Sequence, residues 1–447
     1  MSTATDWLAL HHWRRRAALW GGAILVGLSA ILFAKASNAC YAFFLRILHA
    51  GRYWPLLVTP LAFALLSWLT QGRLRATRGS GIPQTIAALQ VDDGAFRARL
   101  LSLRVAAGKI GLTLIALAGG ASVGREGPTV HVGASLMYSI GRRFGFTEAQ
   151  VASRFILAGG AAGIAAAFNT PLAGIVFAIE EMANAFEHRM SGVVLTAVII
   201  AGVVSLGLLG DYAYFGRVSA VLPALPGWLA VLACGLLGGL AGGAFARLIT
   251  LHGVRPLAAL TRWRERAPIV FAAGCGLALA LIALSSGDTV YGTGYDQARA
   301  ILQGAAESPG PWFGLSKFCA NVVSYWAGIP GGIFSPALAV GAGLGDVVAA
   351  WLPSAPSAAV VLLGMAAYLA GVTQAPLTSA IISMELTDNQ AMVIPILAAC
   401  LLARFASSLI SPVPVYRALA ECIVAEAAPR AAAAGASAII DARTQHE

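Results

Sequence analysis

"GREGPTVHVGASL", residues 124–136, sets Arg125 and Glu126 side by side between glycines and just ahead of a proline. The surrounding chain makes that pair unusual: its 447 residues are 58% hydrophobic and only 11% charged. Mean hydropathy is +0.76, and apolar runs of about twenty residues, the length that crosses a hydrocarbon core, recur from Ala17 onward. A soluble chain of this length would need a far more charged surface. The composition therefore specifies an all-α, polytopic membrane protein, because helices satisfy every backbone polar group inside lipid.

The net charge of +10 is not a nucleic-acid signature. Basic residues cluster at the ends of apolar runs, at Arg14 to Arg16, Arg73 to Arg78, Arg142 with Arg143, and Arg262 to Arg266. That is how cytoplasmic loops look under the positive-inside rule, and no basic patch is interleaved with aromatics. Membrane lipid is the implied partner, and nucleic acid is not. Arg14 to Arg16 followed by an apolar run and "AKASNA" also fits a twin-arginine export signal. The length of the run and the polytopic body favour a first membrane helix. The six cysteines and seven histidines show no metal-ligand spacing, so neither metal nor cofactor is expected.

Apolar segments fall near 17–36, 54–70, 100–122, 150–168, 171–187, 192–210, 226–250, 268–285, 312–329, 357–373 and 391–410. Several are cut by Gly or Pro, and broken helices are tolerated in a bilayer only where backbone is buried in protein or lines a cavity. Comparison of the chain with itself is more informative. Gly124, Pro128, Val132, Gly133, Ala134 and Leu136 recur at the same spacing as Gly332, Pro336, Val340, Gly341, Ala342 and Leu344. Downstream, Gly159, Ala161, Ala162, Pro171, Leu172 and Glu180 match Gly364, Ala366, Ala367, Pro376, Leu377 and Glu385. Two repeats follow, 1–215 and 216–425, with a polar, Ala-rich tail over 426–447. In transporters built from inverted repeats of this kind, half-helix N-termini converge near the midplane, where their free N–H groups favour an anion.

Three glycine-rich stretches lead into helices: "GSGIP" at 79–83, "GREGP" at 124–128 and "GGIFSP" at 331–336. Together with "FNTPLAGIVFAIEEM" at 168–182, "APLTSAIISMELTDN" at 375–389 and Tyr416, they resemble the signature motifs of the CLC chloride channels and proton-coupled chloride transporters. The resemblance runs from about residue 60 to Tyr416 and implies a fold of two inverted repeats with broken, tilted helices.

Site roles follow from that resemblance. Glu126 would be a gate that competes with anion and swings out on protonation. Ser80 and Tyr416 would form the inner constriction, Ser80 favouring chloride over nitrate or fluoride. Backbone groups at Ile333, Phe334, Arg125 and Gly127 would complete the chloride site. Glu181 would relay protons from the inner side, which marks exchangers, while its neighbour Glu180, repeat partner of Glu385, suggests a role at a helix end or subunit contact. Lys109, a lone cation in an apolar run, either snorkels to the interface or raises the potential near the pathway. Gln84 departs from the glutamate that exchangers of the family often carry after GSGIP, which leaves the inner proton route open.

The implied function is chloride/proton antiport by a homodimer in a bacterial inner membrane, in a compact form without a regulatory domain. A passive chloride channel of the same fold is the alternative. A cation or amino-acid symporter would need intramembrane acids facing its substrate, and the contexts of Glu126, Glu180, Glu181 and Glu385 suit anion chemistry better. No nucleophile, base and orienting group recur together as an enzyme would require.

Overall fold

The structure is a computed structural model that describes residues 10–183, 192–210, 213–250, 258–306 and 308–427. Among these residues there is no β-strand, only two isolated bridges. The first part of the chain forms α1 (Leu10–Ala50), α2 (Pro55–Leu69), α3 (Ile82–Gln90), α4 (Gly94–Leu100), α5 (Leu103–Ala118), α6 (Glu126–Arg143), α7 (Ala149–Phe168) and α8 (Pro171–Phe177). A π turn, Ala178–Met182, extends α8, and α9 (Gly192–Leu209) follows. The second part forms α10 (Ala224–Thr250), α11 (Ala258–Arg266), α12 (Pro268–Ser285), α13 (Tyr295–Leu302), α14 (Phe313–Trp326), α15 (Phe334–Trp351), α16 (Ser357–Thr373), α17 (Pro376–Thr387) and α18 (Val393–Ser408). A further helix covers 415–427.

Eight of the described helices are long and apolar enough to cross a bilayer. The protein is an integral, multi-pass membrane protein. The expected first segment, 17–36, proves to be only the middle of α1. No Gly or Pro interrupts residues 28–50, so the helix carries on past Lys35, Asn38 and Arg46 although hydropathy falls. At roughly 60 Å it is about twice the thickness of a hydrocarbon core, so it must tilt or emerge. It packs on α5, α6, α7 and α9, as an integrated first helix does.

The repeated glycines have a packing reason. α6 crosses α7 and α15 crosses α16 at the centre of the molecule. A Cβ on Gly159 would come within 2.7 Å of the Gly133 carbonyl carbon, and one on Gly341 within 2.6 Å of the Gly364 oxygen. Only glycine lets these backbones touch, the same device that brings small residues to helix contacts in lipid. Outside this core, α9 and α18 expose Ile199, Val203, Leu401 and Phe405, an apolar surface suited to lipid or to another apolar face. The expected tail divides: Glu426 and Ala427 belong to the last helix, and residues 428–447 lie outside the described residues.

Candidate anion and proton site

Three glycine loops are tied together by their backbones. Gly79 N–H donates to the Ile329 carbonyl and Gly331 N–H to the Gly79 carbonyl, at 3.2 and 3.1 Å. Gly124 and Gly332 exchange a pair of bonds, each 2.7 Å. Gly81, at φ +106°, lies where an added Cβ would meet His131 at 2.7 Å and Lys109 at 3.1 Å. A Cβ on Gly127 would strike the Ser80 hydroxyl, and one on Gly332 would lie 3.0 Å from the Gly127 nitrogen. Larger residues would force the loops apart. Because they cannot part, the N-termini of α3, α6 and α15 meet, bringing unpaired N–H groups and the positive ends of three helices to one place.

Glu126 is the first residue of α6 and is fully buried. Its Oε1 accepts a 2.6 Å hydrogen bond from the Ser335 hydroxyl, while Oε2 has no protein partner. Arg125 does not pair with it, because consecutive side chains on a helix diverge. The guanidinium turns to α1 and donates to the Ala34 carbonyl at 2.9 Å and Asn38 Oδ1 at 2.6 Å. Of Arg125, the backbone is what remains at the convergence. Ile333 is the N-cap and Phe334 the first residue of α15, so their N–H groups lie at the helix mouth, while the Phe334 ring packs against Phe168 and Phe177. Gly127 fills the contact between the first and second loops.

Ser80 and Tyr416 are buried, and neither hydroxyl has a hydrogen-bond partner. They lie within interaction range of one another without reaching bonding geometry, and Tyr416 is electrostatically coupled to both Glu126 and Glu181. Two unpaired O–H donors facing one region are costly unless an acceptor or water lies between them. Beside Ser80, a cavity of about 660 Å³ is lined by Ser80, Gln84, Arg73, Arg75, Arg78 and Arg264 among others. Gln84 donates to the Arg78 carbonyl at 2.5 Å, and its Oε1 has no protein partner.

Lys109 does not snorkel. It is fully buried, and its ammonium donates to the carbonyls of Thr77 and Gly79 at 2.8 and 2.6 Å, holding the loop that carries Ser80. Glu180 and Glu385 cap each other's helices. Glu180 accepts from the N–H groups of Leu377 and Thr378 at 3.1 and 2.7 Å, Glu385 from those of Leu172 and Ala173 at 3.2 and 2.7 Å. A carboxylate on unpaired N–H groups at a positive helix end is a favourable placement. Glu181, next in the chain, points elsewhere from the π turn and is 8% exposed.

Sequence reasoning missed three features of this region. Lys317, buried in α14, donates to Ser122 Oγ and to the carbonyls of Val290 and Gly292, each at 2.8 Å. Gly292 and Gly294 take positive φ like Gly79 and Gly81, so "GTG" at 292–294 is the second-repeat counterpart of "GSG". Carrying the repeat alignment upstream of Gly124 would have paired Lys317 with Lys109. The third feature, the Ser335 bond to Glu126, has no signal in spacing.

Comparison with known proteins agrees with this architecture. The family model described as "Voltage gated chloride channel" matches residues 62–408. A protein of Cronobacter sakazakii named H(+)/Cl(-) exchange transporter ClcA is 31% identical, over 88% of this chain and 86% of its own length. A putative chloride channel protein ClcB-like of Ralstonia nicotianae is 32% identical over 78% of this chain and 81% of its own. Among solved structures, a slow cyanobacterial Cl-/H+ antiporter superposes with a TM-score of 0.78 at 24% identity, covering 92% of this chain and 98% of that one. A CLC-type fluoride/proton antiporter gives 0.76 at 24% identity, covering 94% and 99%.

Proposed function

The chain belongs to the voltage gated chloride channel family, the CLC proteins, and on that premise we propose that it exchanges chloride for protons across the membrane. The observation that carries this reading is the seating of Glu126. A carboxylate occupies the meeting point of helix N-termini, where a halide would be held by the same N–H groups. One place can hold the carboxylate or the anion, and a proton on the carboxylate removes its claim to the place. Competition of this kind couples the two ions through a single residue.

In this reading Glu126 is the gate and Ser80 with Tyr416 the inner constriction. The backbones of Ile333, Phe334, Gly127 and Arg125 line the anion place. Glu181 exchanges protons with the inner side, Lys109 fixes the Ser80 loop, and Glu180 is a helix cap outside the ion path. The protein is a transporter with no reaction chemistry of its own. We take the repeats to divide near residue 215, the unit to be a homodimer with a pathway in each subunit, and the site to be a bacterial inner membrane.

The test is made in liposomes with a chloride gradient at clamped potential, recording external pH and chloride together. Chloride flow that drives protons uphill is expected. Chloride movement without protons would sink the antiporter reading and leave a channel of the same fold.

A further inference from the structure

One hydroxyl at the gate has no part in the roles above. Ser335 is the second residue of α15, 3% exposed, and donates to Glu126 Oε1 at 2.6 Å. Its counterpart in the first repeat is Gly127, so the bond has no symmetric twin. The Tyr214 phenol lies within interaction range of both Ser335 and Glu126. The Tyr214 ring is held edge-on by Tyr295, centroids 4.7 Å apart, and its carbonyl accepts from the Tyr295 hydroxyl at 2.8 Å. The hydroxyl is thus built into a fixed frame rather than lying loose at a helix end.

The ionisable surroundings of Glu126 are few. Tyr214 and Tyr416 lie within electrostatic range of it, and Arg125, its chain neighbour, turns its guanidinium to α1. Lys109 of α5 and His131 of α6 meet at Gly81, beyond Gly127. On α1, Lys35 is exposed beside the Arg125 contact. α3 presents only Gln84, α7 carries Arg154 in its first turns, and α15 carries Asp346 near its far end. None of these donates to the carboxylate; Ser335 does.

We propose that Ser335 is a positioning residue that latches the Glu126 carboxylate in the anion pathway and so sets how much chloride is needed to displace it. A hydroxyl donating to a carboxylate forms a charge-assisted bond roughly twice as strong as a neutral one. The latch therefore holds the carboxylate in its seat and strengthens it as a competitor of chloride.

This inference rests on the gate reading of Glu126, and the experiment separates the two. Chloride flux is measured in liposomes from acid to neutral pH, at several chloride concentrations, for the native protein, Ser335→Ala, Ser335→Thr and Glu126→Gln. Ser335→Ala should lower the half-saturating chloride about tenfold, as the loss of one charge-assisted hydrogen bond from the competing carboxylate predicts. Ser335→Thr keeps the hydroxyl and should restore it, while Ser335→Cys, a weaker donor, should fall between and serves if the alanine variant does not fold. A pH profile in Glu126→Gln like that of the native protein would count against the gate itself. A flat profile there, together with an unmoved or raised half-saturating chloride in the Ser335 variants, would overturn the latch and make Ser335 an anion ligand or a packing residue.

Discussion

In the first repeat Lys109 ties down the carbonyls of Thr77 and Gly79; in the second, Lys317 does the same for Val290 and Gly292. Gly81 and Gly294 take positive φ against those two lysines, and Glu180 and Glu385 cap each other's helix pairs. The backbone machinery is thus duplicated. The side chains that break the duplication are different in kind: Glu126 stands opposite Phe334 in the repeat, Glu181 opposite Leu386, and Ser335 opposite Gly127. Buried charges that recur in both repeats are each bonded to backbone groups and hold loops. Two buried acids occur once, Glu126 and Glu181, and Glu126 Oε2 has no protein partner.

The sharpest way to break this division is at the pair Glu126 and Phe334. Glu126→Ala should abolish proton movement while chloride still flows, whereas Phe334→Ala should leave the two ions coupled and alter only their rates. Simultaneous chloride and pH recording in liposomes reads both. Coupling that survives Glu126→Ala would remove the gate. Next in size is Lys317→Met, which leaves three buried oxygens without their donor. At about 1–3 kcal/mol for each unsatisfied group, unfolding free energy should fall by roughly 3 kcal/mol or more, seen as a lower Tm in detergent. The ion ratio of the surviving protein should not change. Lys109→Met strands only two carbonyls and should lose less stability, but it should raise the half-saturating chloride, because Gly79 adjoins Ser80. An altered ratio in Lys317→Met would mean that the duplicated charges are not merely structural.

A smaller contrast separates neighbours. Glu181→Gln should slow proton transport and spare chloride, while Glu180→Gln weakens a helix cap at a cost of about 1 kcal/mol and leaves the ratio alone. If Glu180→Gln slows protons as much as Glu181→Gln, both acids serve the relay.

Much of the scaffold was legible in the chain because its cause is local. Gly133, Gly159, Gly341 and Gly364 recur since each crossing requires them, and the three glycine loops announce themselves by composition. The full length of α1 was not, because hydropathy tracks lipid contact and not helix continuity. The reciprocal caps were half legible: the Glu180 and Glu385 match pointed to a helix end, but which one depends on two segments distant in sequence. The Arg125 contact with α1 and the Ser335 bond to Glu126 were invisible for the same reason. Each is a single side chain meeting an element far away in the chain, with no spacing to betray it.

The smallest effect concerns the cavity beside Ser80, where the halves differ again. Arg73, Arg75, Arg78, Arg99 and Arg104 come from the first repeat and only Arg264 from the second, with Glu426 offsetting Arg75 through an exposed 2.8 Å ion pair. A net positive mouth raises the local chloride concentration outside Ser80. One charge about 10 Å from the ion contributes roughly 0.4 kcal/mol in a water-like dielectric, so Arg104→Gln should lower chloride flux about twofold at low ionic strength. At 1 M salt, where the Debye length is about 3 Å, the difference should vanish. Glu426→Gln should act in the opposite sense and fade in the same way. A deficit in Arg104→Gln that persists at high salt would place that arginine in direct contact with the ion, and the division between a duplicated scaffold and a single chemical path would then extend to the cavity mouth.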